Sequence, residues 1–527
     1  MKQVEPLKNI DELLSWGCSS EEEHFLSKLP GLPKIYSGLP NRRRTMVCHD
    51  FKGGYRNDNF VQISDCEKCD LQNDYIFFHW DYCDLFVYFS HCLVTIPPIG
   101  WICAAHRNST PILGTFITEH KAGYELCCQL LKDKSVSERL ADQLVLIAQK
   151  YKLQGWLINI ENKLDSEQIQ PLLTWLKYLR TQLHDNVPHS HLVWYDSVRA
   201  DNGKLQWQDE LNGLNMPFYQ ACDAIYLNYC WNEKKVKNSA ENSKPKEVNN
   251  GGTDQLSQTG ALKGPYDVYV GLDVFGRGCF GGGKYNSDKA VIVCAKFDIS
   301  LAIFAPGWSL ECASGKIQCD NSFLTRDKTL WSKMEPYLPA KESTMIDLPF
   351  ETNFNFGLCR NQNDGESFDT ALYSLCSTAT FPANALNYMT GNVKYQGLEF
   401  SEGIYLGLDE LLNQNCMSIA NLKFDGAEQI NLEVNFESLI EGGILSADIE
   451  VADKLGGIFV CAVLFGLADK NDLRSSKIER VQKSLFREDG NKIEQVKLFV
   501  KIEADFVKTV DTNKSGPILK FNRIKLI

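Results

Sequence analysis

The chain has 527 residues, 44% hydrophobic and 23% charged, which is ordinary globular usage and excludes wholesale disorder. With 55 Lys and Arg against 67 Asp and Glu the net charge is −12, which argues against a nucleic-acid partner, since an acidic chain repels phosphate backbones. At about 150 residues per domain the length admits three or four domains, or one large α/β barrel followed by a β-sandwich.

The segment Met1-Lys2-Gln3-Val4-Glu5-Pro6 has no apolar h-region, so no secretory signal is expected. No apolar run approaches the roughly 20 residues needed to cross a bilayer, so no membrane partner is expected and the chain reads as cytosolic. The nineteen Cys are odd in number and scattered, unlike a small disulfide scaffold. Cys66 and Cys69 form a C-x-x-C with no second pair at zinc-finger distance, while Cys222, Cys294 and Cys461 sit in strand-like runs as small hydrophobes. Neither a metal nor a cofactor is expected. Asn108-Ser109-Thr110 and Asn513-Lys514-Ser515 match the glycosylation sequon, which means little without a secretory route. Ten Trp fit either a large core or a cleft lined with flat rings, and composition leaves both open.

Residues 1–40 hold one short amphipathic stretch (Ile10, Leu13, Leu14, Trp16) among Pro and Gly, and predict a loosely packed N-terminal extension. Over 41–345, short apolar runs alternate with helical patterns. The runs are Met46–Cys48, Leu85–Phe89, Ile112–Phe116, Trp156–Ile158, Leu192–Tyr195, Ala224–Leu227, Val268–Leu272 and Leu301–Phe304. Helical spacing appears at 137–151 (Leu140, Leu144, Ile147, Ala148, Tyr151) and at 166–184 (Ile169, Leu172, Leu173, Leu176, Leu179). Strands that are apolar on both faces and separated by helices are parallel and covered on both sides. Eight of them predict an α/β fold, a (β/α)8 TIM barrel; a doubly wound sheet is second, because no glycine-rich phosphate loop accompanies a strand. The polar segment 234–260 predicts a flexible insertion. Beyond 346 strict alternation takes over, in Ile430–Phe436, Val496–Leu498 and Val500–Phe506, and predicts a C-terminal antiparallel β-sandwich region over 346–527, carbohydrate-binding or structural.

The segment with the most chemical content is Gly155-Trp156-Leu157-Ile158-Asn159-Ile160-Glu161-Asn162. On a strand, Leu157, Asn159 and Glu161 share one face while Trp156, Ile158 and Ile160 share the other. An amide and a carboxylate ending an apolar strand are expensive to bury, and the C-terminal mouth of a barrel is where catalytic groups bear that cost. A capping or salt-bridged role for Glu161 is the plain alternative. Glycosidic cleavage ordinarily uses two carboxylates. One carboxylate beside an amide suits a substrate that brings its own nucleophile: the carbonyl oxygen of a 2-acetamido sugar attacks its own anomeric carbon, the amide orients the acetamido N–H, and a protonated Glu donates to the leaving oxygen.

The same octapeptide closely resembles the catalytic strand of glycoside hydrolase family 85, the endo-β-N-acetylglucosaminidases, and its cytosolic animal members most of all. Further motifs follow in the family's order: His49–Tyr55, Phe86–His91 with Ile96–Trp101, Gly114–Glu119, Trp194–Val198, Trp207–Asn212, Gly271–Gly278 and Phe304–Trp308. The resemblance spans 45–357. It implies the barrel followed by β-sandwich material. It also implies hydrolysis of the β-1,4 bond between the two core N-acetylglucosamines of N-glycoproteins, glycopeptides or free N-glycans, through an oxazoline intermediate, with transglycosylation as that intermediate's competing fate.

By the family's pattern Glu161 is the general acid/base, Asn159 holds the acetamido group, and Tyr195 hydrogen-bonds near it. Trp207 and Trp231 match sugar-subsite aromatics by order and spacing, and His91, Glu119, Asn228, Asp273, Arg277 and Trp308 fall at strand ends where cleft residues sit. Each has a duller reading. Tyr195 suits a strand core and Trp231 suits packing; Asp273 with Arg277 suits a structural ion pair, and His91 with Glu119 suits mutual satisfaction. The competing functions are a catalytically silent glycan-binding protein on the same scaffold, and a two-carboxylate hydrolase pairing Glu161 with Glu119 or Asp196.

Overall fold

The computed structural model describes residues 4–55, 75, 77–245, 263–312, 323–341, 343–348 and 350–352. It also describes C-terminal residues 404–407, 416–427, 429–438, 444–452, 458–466, 478–486, 492–502 and 517–527. The Cys66/Cys69 pair, the sequon at Asn513 and residues 503–506 of the alternating pattern lie outside this set.

The chain opens with two short helices, α1 (Ile10–Leu14) and α2 (Ser20–Ser27), each started by a side-chain cap, Asn9 for the first and Ser19 for the second. They correct the expectation of a loose extension. Leu13, Leu26 and Leu29 are buried, Leu7 pairs in antiparallel fashion with Val94, and Gln143 Nε2 donates to the Leu14 carbonyl at 3.1 Å. A short amphipathic stretch needs only a few large apolar groups to seat on a neighbouring surface.

Next come β1 (Thr45–His49), β2 (Leu85–Tyr88), β3 (Val94–Thr95), α3 (Ile99–Arg107), β4 (Ile112–Glu119), α4 (His120–Leu130), α5 (Lys134–Tyr151), β5 (Gly155–Glu161), α6 (Ile169–Asn186) and β6 (His191–Tyr195). They are followed by α7 (Met216–Ala221), β7 (Ala224–Leu227), α8 (Glu233–Asn242), β8 (Val268–Asp273), α9 (Asp288–Lys296), β9 (Ser300–Phe304), α10 (Trp308–Glu311) and α11 (Phe323–Met334). All eight predicted runs are strands. β1, β2 and β4 to β9 pair in parallel, and the β1–β9 and β2–β4 ladders close the ring; β3 is a short antiparallel addition to β4. A closed ring is a (β/α)8 TIM barrel and removes the doubly wound alternative.

Burial on both strand faces follows from the closure. Met46, Val87, Leu113, Leu157, Val193, Tyr226 and Ala302 fill the barrel interior. Trp156, Ile158 and Trp194 face the helices, among them Leu144, Leu172, Leu176 and Phe218. Five Trp (101, 156, 175, 194, 331) are fully buried and only Trp207 is substantially exposed, at 39%, so most of the indole content is core. No described helix is long and apolar enough to cross a membrane.

The polar segment 234–260 is corrected in part. Residues 233–242 form α8, capped by Asn232, which accepts from the Lys235 N–H, and packed through Val236 and Ala240. Two apolar groups four residues apart suffice to seat one helix face. Residues 246–262 lie outside the described set.

Beyond the barrel come β10 (Thr344–Met345), β11 (Phe350–Thr352), β12 (Ile404–Gly407), β13 (Cys416–Ala427), β14 (Gln429–Ser438), β15 (Ile444–Ala452), β16 (Ile458–Gly466), β17 (Ile478–Phe486), β18 (Ile493–Ile502) and β19 (Pro517–Leu526). One sheet runs β10-β13-β18-β15-β16, the other β11-β19-β14-β17 with β12 on β19; every pairing but β10–β13 is antiparallel. The alternation that predicted this region shows in Ile430 and Leu432, both buried.

Candidate active site

The site is built at the C-terminal ends of the barrel strands, where βα loops converge. Its central strand β5 starts at Gly155, whose φ of 109° favours glycine and where a Cβ would strike the His191 carbonyl oxygen. Four residues on, Asn159 is buried, and Glu161 closes the strand half-buried. Both lie on the Leu157 face, which points into the barrel. In register, Glu119 of β4 is paired with Glu161 and Ile117 with Asn159.

Two donors meet the Glu161 carboxylate. Asn159 Nδ2 reaches Oε2 at 3.3 Å, and Trp207 Nε1 reaches Oε1 at 3.3 Å. Burial pushes the Glu161 carboxyl above its ordinary range; the Asn159 and Trp207 donors and the His91 charge oppose this, and the Glu119 charge adds to it. With its Nδ2 on Glu161, the Asn159 amide presents its oxygen elsewhere, and that buried Oδ1 has no hydrogen-bond partner. An unpaired buried acceptor is uncommon in a folded protein and calls for an explanation.

Tyr195, ending β6, donates its hydroxyl to Asn228 Oδ1 at 2.8 Å and also meets the Tyr229 hydroxyl. Burial foremost holds this phenol far above its usual range, so it stays protonated. His91 Nδ1 lies 2.9 Å from Glu119 Oε2, and that hydrogen bond foremost raises the imidazole's pKa. The remaining expected residues serve the walls. Both Asp273 oxygens are taken, by the Phe275 and Arg277 backbone N–H groups and by the Arg277 guanidinium, whose Nε lies 2.8 Å away. Arg277 also stacks over Phe275 and Phe304. Trp231 is buried: its Nε1 donates to the Gly271 carbonyl at 2.6 Å and its ring stacks on Phe280 at 5.0 Å. Trp308 is 7% exposed and meets Tyr285 edge-on at 5.0 Å. The structure thus gathers Asn159, Glu161 and Trp207 directly, sets Tyr195–Asn228 and His91–Glu119 as pairs, and gives Trp231, Trp308 and the Asp273–Arg277 pair packing and bracing contacts.

Three acids carry parts that sequence reasoning did not assign. Asp50, next to the β1 end, keeps a buried Oδ1 without a hydrogen-bond partner, and burial raises its pKa against the charges of His91, His49 and Arg277. Asp196 is fully buried and accepts the backbone N–H groups of Gln208 and Asp209 on Oδ2, at 3.0 and 2.8 Å, and Asn215 Nδ2 on Oδ1 at 3.0 Å. With both oxygens engaged it clamps the loop bearing Trp207, which removes it as a second catalytic carboxylate. Burial pushes its pKa up to about 7, against the pull of those donors. Asp209 accepts Asn228 Nδ2 at 2.7 Å and Lys235 Nζ at 2.9 Å. The signal was present in Trp194–Val198 and Trp207–Asn212, the two motifs this clamp joins. Among the described residues, no group of three or more His, Cys, Asp or Glu is placed to hold a metal ion.

A half-buried acid of raised pKa, an amide with a spare acceptor and an exposed indole at the mouth of a (β/α)8 barrel suit a barrel of the glycoside hydrolase type. Residues 55–362, more than half of the chain, match the sequence profile of Glycosyl hydrolase family 85, and the chain belongs to that family. The cytosolic endo-beta-N-acetylglucosaminidase of Homo sapiens is 40% identical over 353 residues, covering 67% of this chain and 43% of its own length. The protein of the same name in Gallus gallus is 39% identical over 354 residues, covering 67% and 44%. The chain therefore matches less than half the length of these curated relatives. The glycoside hydrolase domain of Endo-D from Streptococcus pneumoniae R6 aligns over 100% of this chain and 83% of its own with a TM-score of 0.60 at 15% identity, a likeness of fold.

Proposed function

We propose that this chain is an endo-β-N-acetylglucosaminidase that hydrolyses the β-1,4 bond between the two core N-acetylglucosamines of N-glycoproteins, glycopeptides or free N-glycans. The carrying observation is the unpaired buried Oδ1 of Asn159 beside the raised carboxyl of Glu161. A 2-acetamido group offers an N–H donor for that acceptor. With the N–H engaged, the acetamido carbonyl oxygen gains electron density and attacks the anomeric carbon. The C1–O bond to the second N-acetylglucosamine breaks as Glu161 delivers its proton to the departing oxygen, leaving an oxazolinium ion. Water then attacks C1 and gives its proton to Glu161, the C1–O bond to the acetamido oxygen opens, and the configuration is retained. A sugar hydroxyl in place of water gives transglycosylation. Trp207, exposed and in contact with Glu161, supplies a flat apolar face for a pyranose ring. The names of the 39–40% identical relatives support the substrate class and a cytosolic location.

The test is to incubate wild type and Glu161→Gln with a fluorescent high-mannose glycopeptide and weigh the products. A peptide retaining a single N-acetylglucosamine, formed by wild type and not by the variant, is the expected result. Bound but uncut glycan would favour a silent lectin, and cleavage persisting in the variant would remove Glu161 from the role.

A further inference from the structure

The polar network behind Tyr195 has a direction. Tyr195 donates to Asn228 Oδ1, and Asn228 Nδ2 donates to Asp209 Oδ1 at 2.7 Å, where the Cys230 N–H also points at 3.2 Å. Lys235 Nζ, from α8, meets Asp209 Oδ2 at 2.9 Å and the Gln208 carbonyl at 3.0 Å. The Asn228 amide turns its nitrogen to the Asp209 carboxylate, which accepts, and its oxygen to Tyr195. Tyr195 must then donate inward. A second observation bears on Asp209: like eight other described non-glycine residues it has a positive φ, here 54°, left-handed backbone that an L side chain adopts at a cost and glycine adopts freely. The Asp196 carboxylate holds it there through its backbone N–H at 2.8 Å.

We propose that Asp209 is a positioning residue for the reaction at Glu161: its carboxylate, fixed by Lys235 and the Asp196 clamp, orients the Asn228 amide and so sets where the Tyr195 hydroxyl sits and which way its proton points. With that proton on Asn228, Tyr195 meets the sugar through its oxygen lone pairs. The same loop carries Trp207, so the clamp aligns two walls of the site together. This inference rests on the endoglycosidase reading above.

The experiment compares wild type with Asp209→Gly, Asp209→Asn and the exchange Asp209→Asn/Asn228→Asp on the glycopeptide. Glycine relieves the backbone strain, so a loss of rate in Asp209→Gly without loss of thermal stability is not misfolding. Both single variants are expected to lose about tenfold or more in kcat with KM within about twofold, the signature of an interaction realised in the transition state. In Asp209→Asn the new NH2 must face either Lys235 or Asn228. The exchange puts the amide at position 209 and the carboxylate at position 228. The amide then donates to the carboxylate, which still accepts the Tyr195 proton, while the Cys230 N–H loses its acceptor at position 209, so kcat is expected to recover in part, to at least about threefold above Asp209→Asn. A kcat for Asp209→Gly within twofold of wild type, or an exchange no faster than Asp209→Asn, overturns the proposal. A crystal structure of Asp209→Gly decides the geometric half even if wild type does not cut: a turned or displaced Asn228 amide supports it, and an unchanged Tyr195–Asn228–Trp207 arrangement overturns it. Failure of wild type to leave one sugar on the peptide is a separate result and counts against the activity alone.

Discussion

Replacing Glu161 by Gln separates what burial does for chemistry from what it does to stability. The carboxyl is raised chiefly by burial, with the Asn159 and Trp207 donors opposing it and the Glu119 charge reinforcing it. In an unfolded chain the same group loses its proton near 4.5. Between that pH and the higher folded-state value, the folded protein binds more protons than the unfolded one, so stability falls as pH rises through the window. Below the window both states are protonated, and acid and amide differ only in hydrogen bonding. Glutamine keeps one of two acceptors, and a bond as long as 3.3 Å is worth about 0.5 kcal/mol at most.

Glu161→Gln is therefore expected to unfold with wild type at about pH 4 and to become the more stable of the two as pH rises to neutral. The rate moves the other way. Loss of a general acid/base costs about 10²–10⁴-fold, or ~3–5 kcal/mol of transition-state stabilisation. The assays are thermal unfolding across pH by circular dichroism and glycopeptide cleavage on the same preparations. A Tm difference that shrinks or turns negative as pH rises would refute the raised carboxyl, and activity within tenfold of wild type would refute its role.

Trp207→Phe keeps a ring but removes the Nε1 donor that holds the Glu161 pKa down, so the basic limb of the pH–rate profile is expected to move to higher pH; no movement counts against that contact. Glu119→Gln removes the neighbouring negative charge and is expected to move the same limb to lower pH. Asn159→Asp places a carboxylate where the proposed mechanism has the acetamido N–H received and is expected to change the balance of hydrolysis to transfer, read by product analysis with an acceptor sugar. A two-carboxylate mechanism predicts little change. Asp196→Ala strands two buried donors and a part-buried one at roughly 1 kcal/mol each, so urea unfolding should show a loss of about 2–3 kcal/mol, and a loss under about 1 kcal/mol would sink the clamp.

The barrel was legible because its strands are buried on both faces, leaving eight uninterrupted apolar runs. The candidate catalytic strand was legible because Asn159 and Glu161 break such a run on one face only. Tryptophan was less readable. An indole at a strand end can turn toward the cleft or into the wall, and the choice rests on neighbours far away in sequence: Gly271 and Phe280 claim Trp231, while Glu161 draws Trp207. Helix α8 was missed for the opposite reason, since Val236 and Ala240 are too few to mark a period yet enough to seat one face.

The acids of the loop after β6 were the least readable, although their motifs were in plain view. Asp196 and Asp209 act through backbone N–H groups and an amide whose positions exist only once β6, β7 and α8 are side by side. A carboxylate that positions looks the same in a sequence as one that reacts; what separates them is whether its oxygens are already engaged. Asp196 and Asp273 have every oxygen engaged by donors of this chain. Glu161 holds its two oxygens by long contacts only, next to an amide oxygen with no donor. Burial raises the pKa of Asp196 and of Glu161 alike, so protonation alone does not distinguish the groups. Tight internal hydrogen bonds fix a carboxylate as scaffold, whereas loose ones leave it able to exchange a proton with a substrate at little reorganisation, which is what the general-acid role proposed for Glu161 requires.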